Sequence, residues 1–170
     1  MSITNVEIKA RCNNPDRIRQ LLEEHEADYK GTDHQTDTYF EVPEGRLKLR
    51  QGTIEQNLIY YRRPDSASPK ASSINLVPAE HPNELHQLLT NALPTLVVVE
   101  KKREIYFINN VKFHIDEVKG LGDFVEIEAI DEDGSMGKEK LQEQCQYYLE
   151  LLDIKDENLV PYSYSDMLES

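Results

Sequence analysis

The sequence has no tryptophan, only two cysteines and no long apolar run, and each scarcity excludes something. Cys12 and Cys145 lie far apart, which fits neither a disulfide framework nor a zinc site. The longest apolar stretch, Leu96 to Val99, is far short of the ~20 residues an α-helix needs to cross a bilayer. The opening residues MSITNVEIKA hold no apolar core of a signal peptide and read directly as a strand, so a cytoplasmic protein is expected. Basic residues are scarce too, 19 against 32 acidic ones, for a formal net charge of −13. That balance argues against a nucleic-acid polymer as partner, which needs a basic footprint for its phosphates. It does not exclude a small anion, because a local basic cleft can oppose the global sign.

What is present fits one domain over residues 1–170, with 38% hydrophobic and 30% charged residues. So few apolar residues suggest an interior lined partly by charge. Pro64 to Ser73, PDSASPKASS, has no periodicity and reads as a long loop. Three segments have helical spacing. Asn14 and Pro15 open the first, with Ile18, Leu21 and Leu22 on one face up to about His25. Pro82 opens the second, carrying Leu85, Leu88, Leu89 and Leu93. The third starts near Gly137 and carries Leu141, Cys145, Tyr148, Leu149 and Leu152. A last amphipathic turn covers Tyr164 to Leu168.

Most of the rest alternates with period two, as half-buried strands do. Val6, Ile8 and Ala10 oppose Asn5, Glu7, Lys9 and Arg11; Leu47 and Leu49 oppose Arg46, Lys48 and Arg50. Leu58, Tyr60 and Arg62 share a face, as do Val97, Val99, Lys101 and Arg103. Val111, Phe113 and Ile115 oppose Lys112, His114 and Asp116, and Val125, Ile127 and Ala129 oppose Glu126 and Glu128. Each charged face can point to water, as in any antiparallel sheet. The charges nevertheless separate by kind, with cations on the middle strands and carboxylates on the first and last. Apolar-faced helices are available to cover a sheet from outside. Together these suit a barrel with charge inward, where an anionic ligand and a metal complete the pairing that a buried charge requires.

The ordered series VEIKAR (6–11), HQTDTYFE (34–41), GRLKLR (45–50), LIYYRRPD (58–65), VVEKKREIYF (98–107), VKFHIDEVKGLGDFVEIEAI (111–130) and SYSDML (163–168) spans nearly the whole chain. It resembles the CYTH superfamily, the triphosphate tunnel metalloenzymes that include CyaB-type class IV adenylate cyclases and thiamine triphosphatases. The resemblance implies an α+β fold: a closed eight-stranded antiparallel β-barrel with helices packed outside. Its tunnel would hold a small-molecule triphosphate, with Mg2+ or Mn2+ at the carboxylate end, and a homodimer would be plausible. The first acid of the family's N-terminal ExExK motif is Asn5 here, which can offer a carbonyl oxygen but no charge.

Arginine can grip two phosphate oxygens at once and lysine acts as a point charge. The expected substrate-binding residues are Lys9, Lys48, Arg50, Arg62, Lys101 and Arg103, with Lys112 a weaker candidate and Arg46 and Arg63 assigned to solvated strand ends. The expected metal ligands are Glu7, Asp116, Glu126 and Glu128, since hard oxygen donors select magnesium or manganese. Glu7, Lys9 and Arg103 are the expected catalytic residues. His114 shares a face with Asp116 and is a candidate proton acceptor, and Asp37 has no evident partner beyond a turn or strand end. Gly120 and Gly122 read as a turn, not a phosphate loop. Three functions stay open: an adenylate cyclase of the CyaB kind, which is the preferred one, a triphosphatase, and a non-catalytic triphosphate-binding module.

Overall fold

The computed structural model describes residues 2–62 and 70–169. Its strands are β1 (Ser2–Arg11), β2 (Asp28–Phe40), β3 (Arg46–Gln51), β4 (Gln56–Arg62), β5 (Lys70–Pro78), β6 (Thr95–Ile108), β7 (Val111–Val118) and β8 (Gly122–Asp131). They close into one antiparallel barrel in the order β1-β5-β4-β3-β2-β6-β7-β8. Closure removes the unpaired edges that an open sheet of charged strands would expose.

Alternation decides which way each strand faces. On the β1, β7 and β8 wall, Val6, Ile8, Ala10, Val111, Phe113, Ile115, Val125, Ile127 and Ala129 point outward into the main core. Two helices cover them: α1 (Pro15–Glu24), through Ile18, Leu21 and Leu22, and α3 (Lys138–Leu151), through Leu141, Cys145 and Leu149. The start of α1 is capped by Asn14, whose side chain accepts from the Arg17 amide at 3.2 Å, and Pro15 fits the first turn, where its missing N–H costs nothing. A third helix, α2 (Pro82–Ala92), packs Leu85, Leu89 and Leu93 over Phe40, Leu47 and Leu49, but no residue of α2 is fully buried. The short α4 (Tyr164–Glu169) plugs one end of the barrel, with Tyr164 against Phe124, Tyr39 and Val99. The β7–β8 connection is the expected turn, with Gly120 at φ 84° and Gly122 at φ 100°, left-handed backbone that suits glycine.

Two expectations need correction. The loop drawn over Pro64–Ser73 ends early: residues 70–73 already belong to β5, and 63–69 lie outside the described residues. Arg63 is one of these. In addition, β4 and β5 reverse the charged-inside rule. Asn57, Ile59 and Tyr61 of β4 and Ile74 and Leu76 of β5 line the interior, while Arg62 points outward.

Candidate active site

Register sets the charged residues in rows across the barrel wall. Glu7 of β1 lies opposite Glu128 of β8, which lies opposite Lys112 of β7. The next row is Lys9, Glu126 and His114, and Asp116 then pairs in register with Arg103 of β6. On the far side, Asp37 of β2 faces Arg50 of β3. The cavity left among these side chains measures about 110 Å3.

Arg103 centres one cluster. Its Nε and Nη2 donate to the two carboxylate oxygens of Asp116 at 2.7 and 2.8 Å, and Nη2 also donates to Glu126 Oε1 at 2.6 Å. Tyr164 reaches in from α4 and donates its hydroxyl to Asp116 Oδ2 at 2.7 Å. Burial opposes ionisation of Glu126, yet the charges of Lys9 and Arg103 outweigh it and hold the carboxyl well below its usual range. His114 is buried, and neither ring nitrogen has a hydrogen-bond partner among the described residues. Its Nδ1 lies 3.5 Å from Glu126 Oε1, too long for a firm bond. Burial, reinforced by the Arg103 charge, pushes the imidazole below its ordinary value and favours the neutral form.

Asp37 centres the other cluster. Arg50 grips it with two bonds of 2.9 and 2.8 Å, and Lys101 Nζ donates to it at 2.6 Å, with Lys48 Nζ 3.9 Å away. Burial works against the Asp37 charge, but Arg50 and Lys101 prevail and keep it ionised far below the usual carboxylate range. Lys101 is pushed down to about 7, by burial first and then by the charges of Arg50 and Arg103, against the pull of Asp37. Lys48 lies over the rings of Tyr39 and Tyr61, and Lys9 and Lys101 over that of Tyr164. Lys9 also donates to the Tyr162 carbonyl at 3.1 Å.

The structure thus brings together Lys9, Lys48, Arg50, Lys101 and Arg103 with Glu7, Asp116, Glu126 and Glu128. It does not bring Arg62, whose side chain is 63% exposed and pairs with Glu44 on the outer surface. Arg62 falls on the outer face because on β4 the inward residues are Asn57, Ile59 and Tyr61, none of them charged. Arg46 is no solvated end either: it pairs with Asp166 and ties α4 to β3. Two lumen acids went unrecognised, Asp37 as the hub of the cations and Glu55, which sits in the β3–β4 turn and pairs with Lys112. The QTDTYF alternation was available for Asp37, but Glu55 gives no periodic signal because it lies in a turn.

The implied divalent metal can be tested against the residues present. Glu7 and Glu128 are directly opposed on neighbouring strands, an arrangement that is unfavourable for two like charges alone. Beside them Asn5 is fully buried; its amide nitrogen donates to Glu128, and its Oδ1 has no hydrogen-bond partner among the described residues. Two facing carboxylates and an orphaned amide oxygen form the hard donor set that magnesium or manganese takes. The residues fit the group. His114, Asp116 and Glu126 also lie with ligand atoms within 4.8 Å of one another, but there the Arg103 guanidinium already supplies the positive charge.

A family model described as the CYTH domain matches residues 4–164. The chain belongs to the CYTH family. The CYTH relatives include a protein of Methanocaldococcus jannaschii named "Putative adenylate cyclase MJ0240", 26% identical over 95% of this chain and 97% of its own. The structure of PH1012 protein from Pyrococcus horikoshii OT3 superposes with a TM-score of 0.83 at 26% identity, over 95% of this chain and 98% of that one. A Hippeastrum protein named "Putative adenylyl cyclase HpAC1", said to reveal a dominant triphosphatase activity, shares the fold at a TM-score of 0.66 and 15% identity, covering 96% and 93% of the two chains. The CYTH triphosphate tunnel is therefore this chain's fold, and no helix among its described residues is long and apolar enough to cross a membrane.

Proposed function

We propose that this CYTH protein is a divalent-metal-dependent enzyme acting on an organic triphosphate, and that the reaction is adenylate cyclisation, ATP to cyclic AMP and pyrophosphate. The observation that carries the proposal is the gathering of several cations and one facing pair of carboxylates in a single lumen. Arg50, Lys101, Lys48 and Arg103 stand on one side of it, and Glu7 and Glu128 face each other on the opposite wall. A triphosphate carries about four negative charges, so it needs several fixed cations and a metal to share its oxygens.

The roles follow from placement. Arg50 and Arg103 present planar forks for phosphate oxygens, and Lys9, Lys48 and Lys101 add point charges. Asp37 and Asp116 orient those arginines. Glu7 and Glu128, with the Asn5 carbonyl, would hold the metal, which supplies charge neutralisation on the phosphates. Catalysis of this kind is mostly positioning and electrostatic stabilisation. The neutral, unpartnered His114 is placed to accept a hydrogen bond or a proton from a substrate hydroxyl. The inward apolar wall of Ile59, Ile74 and Leu76 suits an organic group on the triphosphate, which favours a nucleotide over bare tripolyphosphate. The name carried by the archaeal relative points the same way.

Hydrolysis is the second reading. The lumen is narrow and its cations are held for phosphate, which is all a triphosphatase requires besides a positioned water. Incubation with Mg2+ or Mn2+ and ATP, tripolyphosphate or thiamine triphosphate, with products resolved by chromatography, separates the two. Cyclic AMP with pyrophosphate supports the cyclase, and orthophosphate without cyclic AMP supports the hydrolase. Binding without turnover on every substrate leaves a triphosphate-binding module and rejects both.

A further inference from the structure

One lumen acid has no part in the scheme above. Glu55 ends the β3–β4 turn, and its carboxylate meets Lys112 Nζ at 2.5 Å, Gln35 Nε2 at 3.1 Å and Arg50 Nη1 at 3.5 Å. In the barrel order, β3 and β4 lie across from β7. The Glu55–Lys112 pair therefore spans the lumen instead of joining neighbours along the wall. It does so at the level of Glu128, the register partner of Lys112.

The backbone that delivers Glu55 is firmly anchored. Asp33, fully buried, accepts from the amides of Thr53, Ile54 and Glu55 at 2.6, 2.8 and 2.9 Å. A Cβ at Gly52 would lie 2.7 Å from the Asp33 carboxylate and 2.5 Å from the Glu55 carbonyl, so the turn closes tightly only around glycine. The side chain is less confined: Glu55 is 21% exposed and Lys112 11%, against 1% for Asp37 and no exposure for Asp116. Burial works against the Glu55 charge, yet Lys112 and Arg50 hold it ionised. Glu55 is thus an anion on an anchored backbone, with a tip more exposed than those of Asp37 and Asp116, that lies against two cations of the lumen.

We propose that Glu55 is a displaceable internal counter-ion, which a triphosphate must expel from Arg50 and Lys112 to seat fully in the tunnel. Asp37 and Asp116 differ in kind, since each accepts two bonds from its arginine and is almost wholly unexposed. Glu55 makes one close ion pair, and its tip can swing outward. It thereby weakens anion binding and sets the threshold against which a ligand's charge must compete. The proposal rests on the triphosphate reading of the tunnel.

The test is calorimetric titration of tripolyphosphate with EDTA present, so that neither metal nor turnover enters. Glu55→Gln keeps the side-chain size and removes the competing charge. Its Kd for tripolyphosphate is expected to fall about tenfold, corresponding to about 1.4 kcal/mol. Lys112→Met in the same titration is expected to bind more weakly than the unmodified chain. If Glu55 merely braces Arg50 and Lys112, Glu55→Gln instead weakens binding, which overturns the proposal, as does an unchanged Kd. Should Glu55→Gln not fold, Glu55→Asp shortens the reach to Lys112 and carries the same sign at smaller size. An unmodified chain that does not bind tripolyphosphate rejects the triphosphate reading and the proposal with it; one that binds while the variant is unchanged rejects the counter-ion alone.

Discussion

At the residue scale, the lumen shows how buried charges coexist: Asp37, Asp116 and Glu126 each accept from a lysine or an arginine before any ligand arrives. Asp37 is the clearest case, because Arg50, Lys101 and Lys48 all converge on it. Removing one partner of a buried ion pair leaves uncompensated charge and costs about 3–5 kcal/mol. Asp37→Asn is expected to lose stability on that scale in urea unfolding, and saturating tripolyphosphate is expected to recover part of the loss by supplying the missing anion. A variant as stable as the parent would show that the three cations do not depend on Asp37. Lys101 adds a pH dependence with a defined sign. Its folded value is about 7, whereas an unfolded lysine titrates near ~10.4. Between those values the unfolded chain holds a proton that the folded chain lacks, so this group makes stability rise with pH across the window, and its cost is complete below about 7. A bound triphosphate raises the affinity of Lys101 for its proton. Near pH 8 the unmodified chain is therefore expected to take up more protons on binding tripolyphosphate than Lys101→Arg does. Calorimetry in buffers of different ionisation enthalpy measures the difference, and equal uptake would discard this role for Lys101.

At the element scale, α4 joins the fold to the site. It is too short to be stable alone, and Arg46–Asp166, the Phe124–Tyr164 ring contact and the Tyr164–Asp116 bond hold it over the barrel end. Tyr164→Phe keeps the ring and removes only the bond to a charged acceptor, worth about 1.5–3 kcal/mol. Its thermal midpoint should fall accordingly; an unchanged midpoint would mean that the hydroxyl contributes nothing to holding α4. Elements with strong periodicity were legible in the sequence: α1, α2 and α3 begin within a residue or so of the Asn14–Pro15, Pro82 and Gly137 signals, and the outward faces of β1, β7 and β8 follow their alternation. β5 was hidden because its first residues, Lys70 to Ser73, continue a serine- and proline-rich stretch that reads as loop. Arg62 was misassigned for a related reason. Alternation finds two faces but does not say which is inside, and on β4 the inside carries no charge. Glu55 was invisible because a turn residue has no period, and its role depends on a partner across the barrel.

At the scale of the whole molecule, the net charge of −13 and the cations within the lumen pull a triphosphate in opposite directions, and distance separates the two effects. Far from the mouth the ligand meets the summed negative field. Inside, it meets Arg50, Lys101 and Arg103, each no more than 8% exposed in its side chain and so shielded from mobile ions. Salt acts mainly on the first effect, since the Debye length shrinks from about 30 Å at 0.01 M to about 8 Å at 0.15 M. Added salt should therefore speed entry by screening the repulsion, while dissociation, governed by buried contacts, changes less. This is opposite to the usual course for a charged ligand steered to an oppositely charged surface, where association slows as salt rises. With no tryptophan to report binding, stopped-flow association of a fluorescent ATP analogue in metal-free buffer is the direct measurement. An association rate constant that rises between 0.01 and ~0.15 M salt is the expected outcome. A steady fall across that range would mean that a local basic field at the tunnel mouth, not the net charge, governs how the ligand arrives.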